Sequence, residues 1–364
     1  MFSESLSLFS QFPFDGKFVG AEPINEGLIN TTLAAEFENG KYIVQKINTN
    51  VFKNPDELMS NVFDVTAFLD SAISQSGADP QRGTLHFLKT KDGKPYYKDE
   101  KGDCWRSYKY IDNCYTLSGR CSGDEIFEAA RAFGNFQAML STFHGAGLYE
   151  TIKDFHHTPK RYDALEAAVS ADPVGRVSSV SSELNFFKSR KNELGIVTQM
   201  LESGELPTRV THNDTKINNV LFDNSTNKAI CVIDLDTIMP GSLLYDFGDG
   251  VRTCAALANE DEPRSEKMGI DLDIYKEYVS GYLTGADKKL TAKEIELLPF
   301  SVKLMTLEVA IRFLTDYING DTYFKTNYSD HNLVRTRAQI ALINDIEKKF
   351  SQMQKITEKV SGGA

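Results

Sequence analysis

Asp214, Asn219 and Asp234 are the side chains on which the chemistry of this chain would turn. The first two lie five residues apart in Val210-Thr-His-Asn-Asp-Thr-Lys-Ile-Asn-Asn-Val-Leu-Phe222, and the third follows the apolar run Ile230-Cys-Val-Ile233. Phosphoryl transfer needs such a set. One carboxylate accepts the proton of an attacking hydroxyl, and an amide oxygen with a second carboxylate holds Mg2+ against nucleotide phosphates. Hard oxygen ligands suit that cation. Asp214 is therefore expected to be the general base, and Asn219 and Asp234 the metal ligands. Asp236 fits either a water-mediated metal contact or a loop brace. His212, two residues before the base, reads as a buried hydrogen-bonding brace rather than a catalyst. Asp246, in Tyr245-Asp-Phe-Gly-Asp249, reads as a residue tying loops together.

Short apolar runs on both sides of these residues read as buried strands. Val220-Leu-Phe222 and Ile230-Cys-Val-Ile233 could pair as a hairpin across Asp223-Asn-Ser-Thr-Asn-Lys228. Upstream, residues 1–16 read as an amphipathic lead-in with Leu6, Leu8, Phe9, Phe12 and Phe14. Strands are expected over Phe18–Ile24, Asn30–Phe37 and Tyr42–Ile47, and the Asn39-Gly40 pair marks a hairpin. A helix after Asn54-Pro55 would bury Leu58, Val62, Val65 and Leu69. Leu85–Leu88, Pro95–Tyr97 and Trp105–Ile111 complete an antiparallel sheet. The remainder reads as helical. Ser122-Gly-Asp-Glu125 is a capping box, and further helices are expected over about 183–203, 271–284, 291–319 and 331–353. The fold class is α+β, with a small antiparallel β-sheet lobe carrying one helix (1–111) before a larger, mostly helical lobe (112–364).

With 364 residues the chain is long enough for two lobes, and its 41% hydrophobic and 25% charged content is that of a globular protein. A net charge of −11 argues against nucleic-acid backbones and anionic membranes as partners. The five cysteines show neither Cys-x-x-Cys nor zinc spacing and read as free thiols in a reducing compartment. With no signal-like N-terminus and no apolar run near ~18 residues, the expected location is cytoplasmic.

The pattern His212-x-Asp214-x4-Asn219, with a strand ending in Asp234, resembles a kinase catalytic loop, Asn213 standing where protein kinases carry Arg. It is similar to that of the aminoglycoside phosphotransferase family of small-molecule kinases. The resemblance implies a bilobal protein-kinase-like fold with ATP under the β lobe. The base of the nucleotide would meet backbone groups of Tyr110 and Ile111 in the hinge strand Tyr108–Asp112. The turn Asn25-Glu-Gly-Leu-Ile-Asn30 falls where a phosphate-covering hairpin is expected, but it holds one Gly. The strand position that normally carries a phosphate-binding Lys aligns with Gln45, with Lys46 one step on and facing the other way. The helix position of the partner Glu aligns with Asn61. A neutral Gln45–Asn61 hydrogen bond is expected to replace the ion pair, because removing both charges avoids stranding one.

A closer resemblance runs through almost the whole chain, to the bacterial N-acetylhexosamine 1-kinases. It rests on Arg209–Leu221, Ile233-Asp-Leu-Asp-Thr-Ile-Met-Pro-Gly-Ser242, Ile29-Asn-Thr-Thr32, Asp154-Phe-His156, Arg312-Phe-Leu-x-Asp-Tyr317 and His331-Asn-Leu-Val-Arg-Thr-Arg337. It implies ATP- and magnesium-dependent phosphorylation of the anomeric hydroxyl of N-acetylglucosamine or N-acetylgalactosamine. Asp214 matches the catalytic base, Arg312 and Tyr323 match sugar contacts, and Asn30 matches a polar residue near the sugar. Arg312 could instead pair with Glu308 or Asp316, each four residues away on one helix. Leu28 replaces a family His and Thr253 a family Phe, which bears on sugar choice. Two other readings stand beside this one. A kinase of an aminoglycoside or amino alcohol could use the acidic run Asn259-Glu-Asp-Glu262, and a nucleotide-binding pseudokinase could act as a scaffold.

Overall fold

The computed structural model describes residues 7–24, 29–143 and 147–362. Leu6, the turn residues Asn25–Leu28 and the last residues of the expected C-terminal tail lie outside that range. The chain forms two compact units: Met1–Thr116 with 142–153 and 221–240, and Leu117–Ser141 with 154–220 and 241–364.

The β-rich unit is built on an antiparallel sheet of β1 (Phe18–Ile24), β2 (Thr31–Phe37), β3 (Gly40–Ile47), β4 (Phe87–Leu88), β5 (Tyr97–Lys98) and β6 (Cys104–Lys109). Its order is β1-β2-β3-β6-β4, with β5 also on β6. The β2–β3 hairpin closes at Phe37 opposite Gly40, and β3 pairs with β6 so that Gln45 faces Arg106 across the strands. Side chains alternate between the two faces of such a sheet. One face, through Ala35, Phe37, Tyr42 and Val44, packs with Leu8, Phe9 and Phe12 of the lead-in. Phe9 stacks on Phe18 with ring centroids 4.7 Å apart. Helix α1 (Pro55–Gln75) starts at an Asn54 cap with Pro55 in its first turn, where a missing N–H costs nothing. It buries Leu58, Val62, Val65 and Leu69, as its apolar period predicts. A single turn of helix, α2 (Pro80–Gly83), follows. Later in the chain β7 (Cys114–Thr116), β9 (Val220–Asp223) and β10 (Ala229–Val232) form a three-stranded sheet, so the expected hairpin after Asn219 is present.

The helical unit contains α3 (Gly123–Leu140), α4 (Thr158–Ala171), α5 (Ser181–Lys188), α6 (Ile196–Ser203), α7 (Leu243–Cys254), α8 (Leu272–Ala286), α9 (Ala292–Ile318) and α10 (His331–Gly362), with the short strand β8 (Arg209–Thr211) leading into the Asp214 loop. The Ser122/Glu125 capping box opens α3, and a second box, Thr291/Glu294, opens α9. Helices α3 and α8 cross backbone to backbone. A Cβ on Gly134 would come 2.1 Å from the Tyr282 carbonyl, and one on Gly281 2.1 Å from that of Phe127. One sequence expectation needs correction, and two helices fall where no particular element was assigned. The helix expected over 183–203 is two helices, because the backbone turns at Ser189–Gly195 around a short 3₁₀ segment, Lys191–Glu193. The stretch Tyr245–Asp249 lies inside α7, and α4 had no counterpart in the sequence reading. All five cysteines are free thiols. Among the described residues no helix is long and apolar enough to cross a membrane.

Candidate active site

In the helical unit the Asp214 loop is held mainly through its main chain. The Asp246 carboxylate, buried in α7, accepts the backbone N–H of His212 at 2.9 Å on Oδ2 and that of Asn213 at 2.7 Å on Oδ1. Gln137 donates to the same Oδ2 at 3.0 Å and to the Val210 carbonyl at 2.9 Å, and Thr215 Oγ1 donates to the Asp246 carbonyl at 2.6 Å. Burial pushes the Asp246 carboxyl above its ordinary value despite these donors. Asn213 adopts φ +66°, a left-handed conformation that Asn tolerates better than most side chains. The expected bracing role of Asp246 is thus what the contacts provide.

His212 is buried between the rings of Phe133 and Phe136, and its Nδ1 accepts the Asp214 backbone N–H at 3.2 Å. These contacts are those of a brace. His156 adds support from a second side: its Nδ1 donates to buried Glu308 at 2.7 Å and its Nε2 lies 3.4 Å from the Asn213 carbonyl. Glu308 stays ionised at lower pH than usual. Burial opposes this, but His156 and the Thr158 hydroxyl outweigh it.

Asp214 itself is only partly covered. Its Oδ1 pairs with Lys216 Nζ at 2.8 Å, and Asn219 Nδ2 donates to its carbonyl at 2.8 Å and to Oδ2 at 3.3 Å. Burial lowers the Lys216 pKa, but Asp214 reverses this and the net shift is upward. Asn219 turns its amide nitrogen to Asp214, so its Oδ1 has no partner among the described residues and can serve as a hard ligand. Lys216 was not singled out from the sequence. Its place two residues after Asp214 was the available signal.

Farther along the helical unit, Arg312 on α9 has no carboxylate partner among the described residues. Its guanidinium sits 5.8, 5.7 and 5.4 Å from the ring centres of Phe155, Tyr323 and Phe324. The alternative pairings with Glu308 and Asp316 are not formed among the described residues, because both carboxylates are engaged elsewhere. Glu308 binds His156 and Thr158, and Asp316 accepts the backbone N–H groups of Thr322, Tyr323 and Phe324 at 2.8–2.9 Å. Asp316 thereby fixes the loop that carries Tyr323, whose side chain is 67% exposed. Arg161 lies near enough to matter electrostatically. Burial and then the Arg312 charge push its pKa down, while it donates to the Phe155 carbonyl at 2.6 Å. The acidic run 259–262 is engaged by partners: Glu260 pairs with Arg252 at 2.7 Å and Glu262 with Arg264 at 2.8 Å, and Asp261 accepts a hydrogen bond from His331 Nε2 at 3.2 Å. Thr253 bonds back to the Asp249 and Gly250 carbonyls of its own helix.

In the β-rich unit the polar groups are joined through side chains. Arg106, 2% exposed, donates from Nε and Nη2 to Gln45 Oε1 at 3.0 and 2.8 Å and pairs through Nη1 with Asp236 Oδ1 at 2.5 Å. Burial would lower its pKa, and Asp236 more than compensates. Gln45 Nε2 donates to Thr32 Oγ1 at 3.1 Å. Asn30 donates to Asp236 Oδ2 at 2.6 Å, and its own oxygen accepts the Asn48 N–H at 3.0 Å. Asp236 is therefore a buried brace. The expected Gln45–Asn61 bond is not formed. Asn61 instead donates to the Tyr149 and Ile238 carbonyls at 2.8 and 3.0 Å and accepts the Tyr149 N–H at 2.8 Å. Lys46, on the other face of β3, pairs with Asp103 at 3.2 Å, both partly exposed. Asp234, two residues beyond the end of β10, has φ +60° and an exposed side chain. In the hinge stretch the Tyr110 N–H is taken by the Lys41 carbonyl at 3.0 Å, and the Ile111 carbonyl accepts the Cys114 thiol at 3.0 Å. The Tyr110 carbonyl and the Ile111 N–H have no partners among the described residues. Arg82 braces that stretch through the Asp112 and Asn113 carbonyls and Asp223.

No three His, Cys, Asp or Glu side chains gather into a metal site among the described residues. Magnesium at a nucleotide needs only one or two protein oxygens, because phosphates and water supply the rest.

A family model described as the phosphotransferase enzyme family matches residues 20–268. Among solved structures, a microcompartment-associated aminopropanol kinase matches with TM-score 0.66 at 16% identity, covering 97% of this chain and 99% of that one. An aminoglycoside phosphotransferase from Alicyclobacillus acidocaldarius matches with TM-score 0.62 at 12% identity, covering 98% and 96%. The GDP complex of aminoglycoside 2'-phosphotransferase-IIIa gives 0.60 at 12%, covering 93% and 98%. At these identities the likeness is one of fold, and it agrees with the α+β class read from the sequence.

Proposed function

Because the chain belongs to the phosphotransferase enzyme family, we propose that it is a sugar kinase. It would move the γ-phosphoryl group of ATP to the anomeric hydroxyl of an N-acetylhexosamine and release the sugar 1-phosphate. Asp214 accepts the hydroxyl proton as the oxygen attacks phosphorus, and ADP leaves. Asn219 Oδ1 and the exposed Asp234 carboxylate are the oxygens offered to magnesium. When bound, magnesium neutralises charge on the phosphates. The hinge stretch retains one free acceptor, at Tyr110, and one free donor, at Ile111, for the nucleotide base. Gln45 rather than Lys46 shares a sheet face with the buried charged pair.

The observation that carries the choice of acceptor is the unpaired Arg312, ringed by Phe155, Tyr323 and Phe324, with Arg161 nearby. Aminopropanol, choline and aminoglycosides are cations, and like charges placed together cost several kcal/mol. A neutral polyol meets no such penalty. The rings offer apolar faces, and the guanidinium offers a fixed fork of donors to hydroxyl or acetyl oxygens. In the acidic run that could have drawn a cation, Glu260 and Glu262 already carry Arg partners and Asp261 is hydrogen-bonded to His331. The sequence strings shared with N-acetylhexosamine 1-kinases support the same choice.

The test is an acceptor panel with ATP and magnesium: N-acetylglucosamine, N-acetylgalactosamine, aminopropanol and an aminoglycoside. An N-acetylhexosamine should exceed either cationic acceptor at least about tenfold in kcat/KM. The reverse order would establish the amino-alcohol or aminoglycoside reading. Nucleotide binding without turnover on any acceptor would favour the scaffold reading.

A further inference from the structure

Arg106 is the only Lys or Arg buried in the β-rich unit among the described residues. A buried ion pair is weak evidence of stability, since well-packed apolar residues serve as well or better. Its placement therefore asks for another reason. The guanidinium fixes both ends of a short relay. On one side it clamps Gln45 Oε1 with two donors, so the Gln45 amide nitrogen must point away from it, toward Thr32. One N–H of that amide goes to Thr32 Oγ1, which leaves the second available. On the other side Arg106 pairs with Asp236, two residues beyond Asp234. Lys46, the other basic candidate on β3, lies on the opposite face and is committed to Asp103.

We infer that the Arg106–Asp236 pair takes the place of the strand Lys–helix Glu pair of protein kinases, with the cation moved to β6 and its effect delivered to the nucleotide phosphates through Gln45. The inference rests on the nucleotide-binding part of the proposed function. In the protein-kinase arrangement the lysine is on the strand equivalent to β3 and its carboxylate partner is on a helix. Here β3 supplies a neutral amide, the helix position holds Asn61 with its amide bound to backbone, and the neighbouring strand supplies the charge. A guanidinium directly behind an amide polarises it and strengthens its remaining N–H as a donor to an anion. Gln45 is then the phosphate-contacting residue and Arg106 its positioning residue.

The experiment measures Mg·ADP affinity calorimetrically on the full chain, with thermal melts confirming that each variant is folded. R106Q/D236N removes both charges together, so neither is stranded. Its ADP affinity should fall about tenfold or more while the melt stays cooperative. Q45K/R106Q returns a cation to β3 and leaves Asp236 a partner, and its affinity should recover to within about threefold of wild type. Q45A should weaken ADP with little effect on acceptor KM. Wild-type affinity in folded R106Q/D236N would overturn the inference alone. Failure of Q45K/R106Q to recover would overturn the claim that charge, rather than shape, is what Arg106 supplies. A wild-type protein that binds no ADP would overturn the nucleotide reading and this inference with it.

Discussion

The Asp214 loop and the Arg106 cluster immobilise their polar groups by opposite means. The loop is held by backbone N–H groups converging on one carboxylate, Asp246, with Gln137 and the His156–Glu308 pair behind it. Among the described residues the cluster uses a single main-chain donor, the Asn48 N–H held by Asn30. Arg106, Gln45, Asp236 and Asn30 hold one another through side chains from four different segments of the chain. The difference teaches where each site is fragile. A loop fixed by its backbone should tolerate replacement of the reacting side chain and lose chemistry alone. A cluster fixed by charge should lose its geometry, and stability with it, when one partner is neutralised.

Substitutions can break or sharpen that contrast. The largest expected effect is Asp214→Asn, which should cut kcat by about two to four orders of magnitude. ADP affinity should stay within about twofold, because the loop bonds do not use that carboxylate except through Lys216 and Asn219. Steady-state kinetics with calorimetry would show the split. Asp236→Asn strands the buried guanidinium and should cost about 3–5 kcal/mol in a denaturant melt. Asp246→Asn should cost less, about 1–3 kcal/mol, since an amide oxygen can still accept one of the two loop N–H groups. If the Asp246 variant proved the less stable of the two, the contrast would be reversed. Arg312→Lys keeps the charge but loses the planar fork, and should raise acceptor KM about tenfold with nucleotide KM unchanged. Lys46→Ala removes a partly exposed pair and should shift stability by less than about 1 kcal/mol and leave ADP binding intact.

The same contrast explains what could be read from the sequence. The closeness of Asn219 to Asp214 and the bracing contact of His212 were legible because these residues fall within one short loop, where spacing along the chain is spacing in the fold. The bracing role of Asp246 came from its motif context, and the contacts bear it out. Arg106 was not legible. Its partnership with Gln45 depends on the β3–β6 register across 61 residues, and with Asp236 on a later segment that returns to the β-rich unit. The reading of Asn61 failed for a related reason. Its partners Tyr149 and Ile238 belong to the two segments, 142–153 and 221–240, that rejoin that unit, and no local pattern announces them. The break between α5 and α6 was missed because apolar residues continue through Leu194, Ile196 and Val197 while the backbone has already turned. The glycine-poor turn at 25–28 and the departure at Leu28 lie outside the described residues.

Whether Asp214 serves a sugar's anomeric hydroxyl is tested most directly by phosphorus NMR of the wild-type protein incubated with ATP, magnesium and an N-acetylhexosamine. The predicted spectrum shows ADP growing in step with a phosphate coupled to the anomeric proton, and neither in Asp214→Asn. An unchanged sugar in a sample that phosphorylates aminopropanol or an aminoglycoside would contradict it.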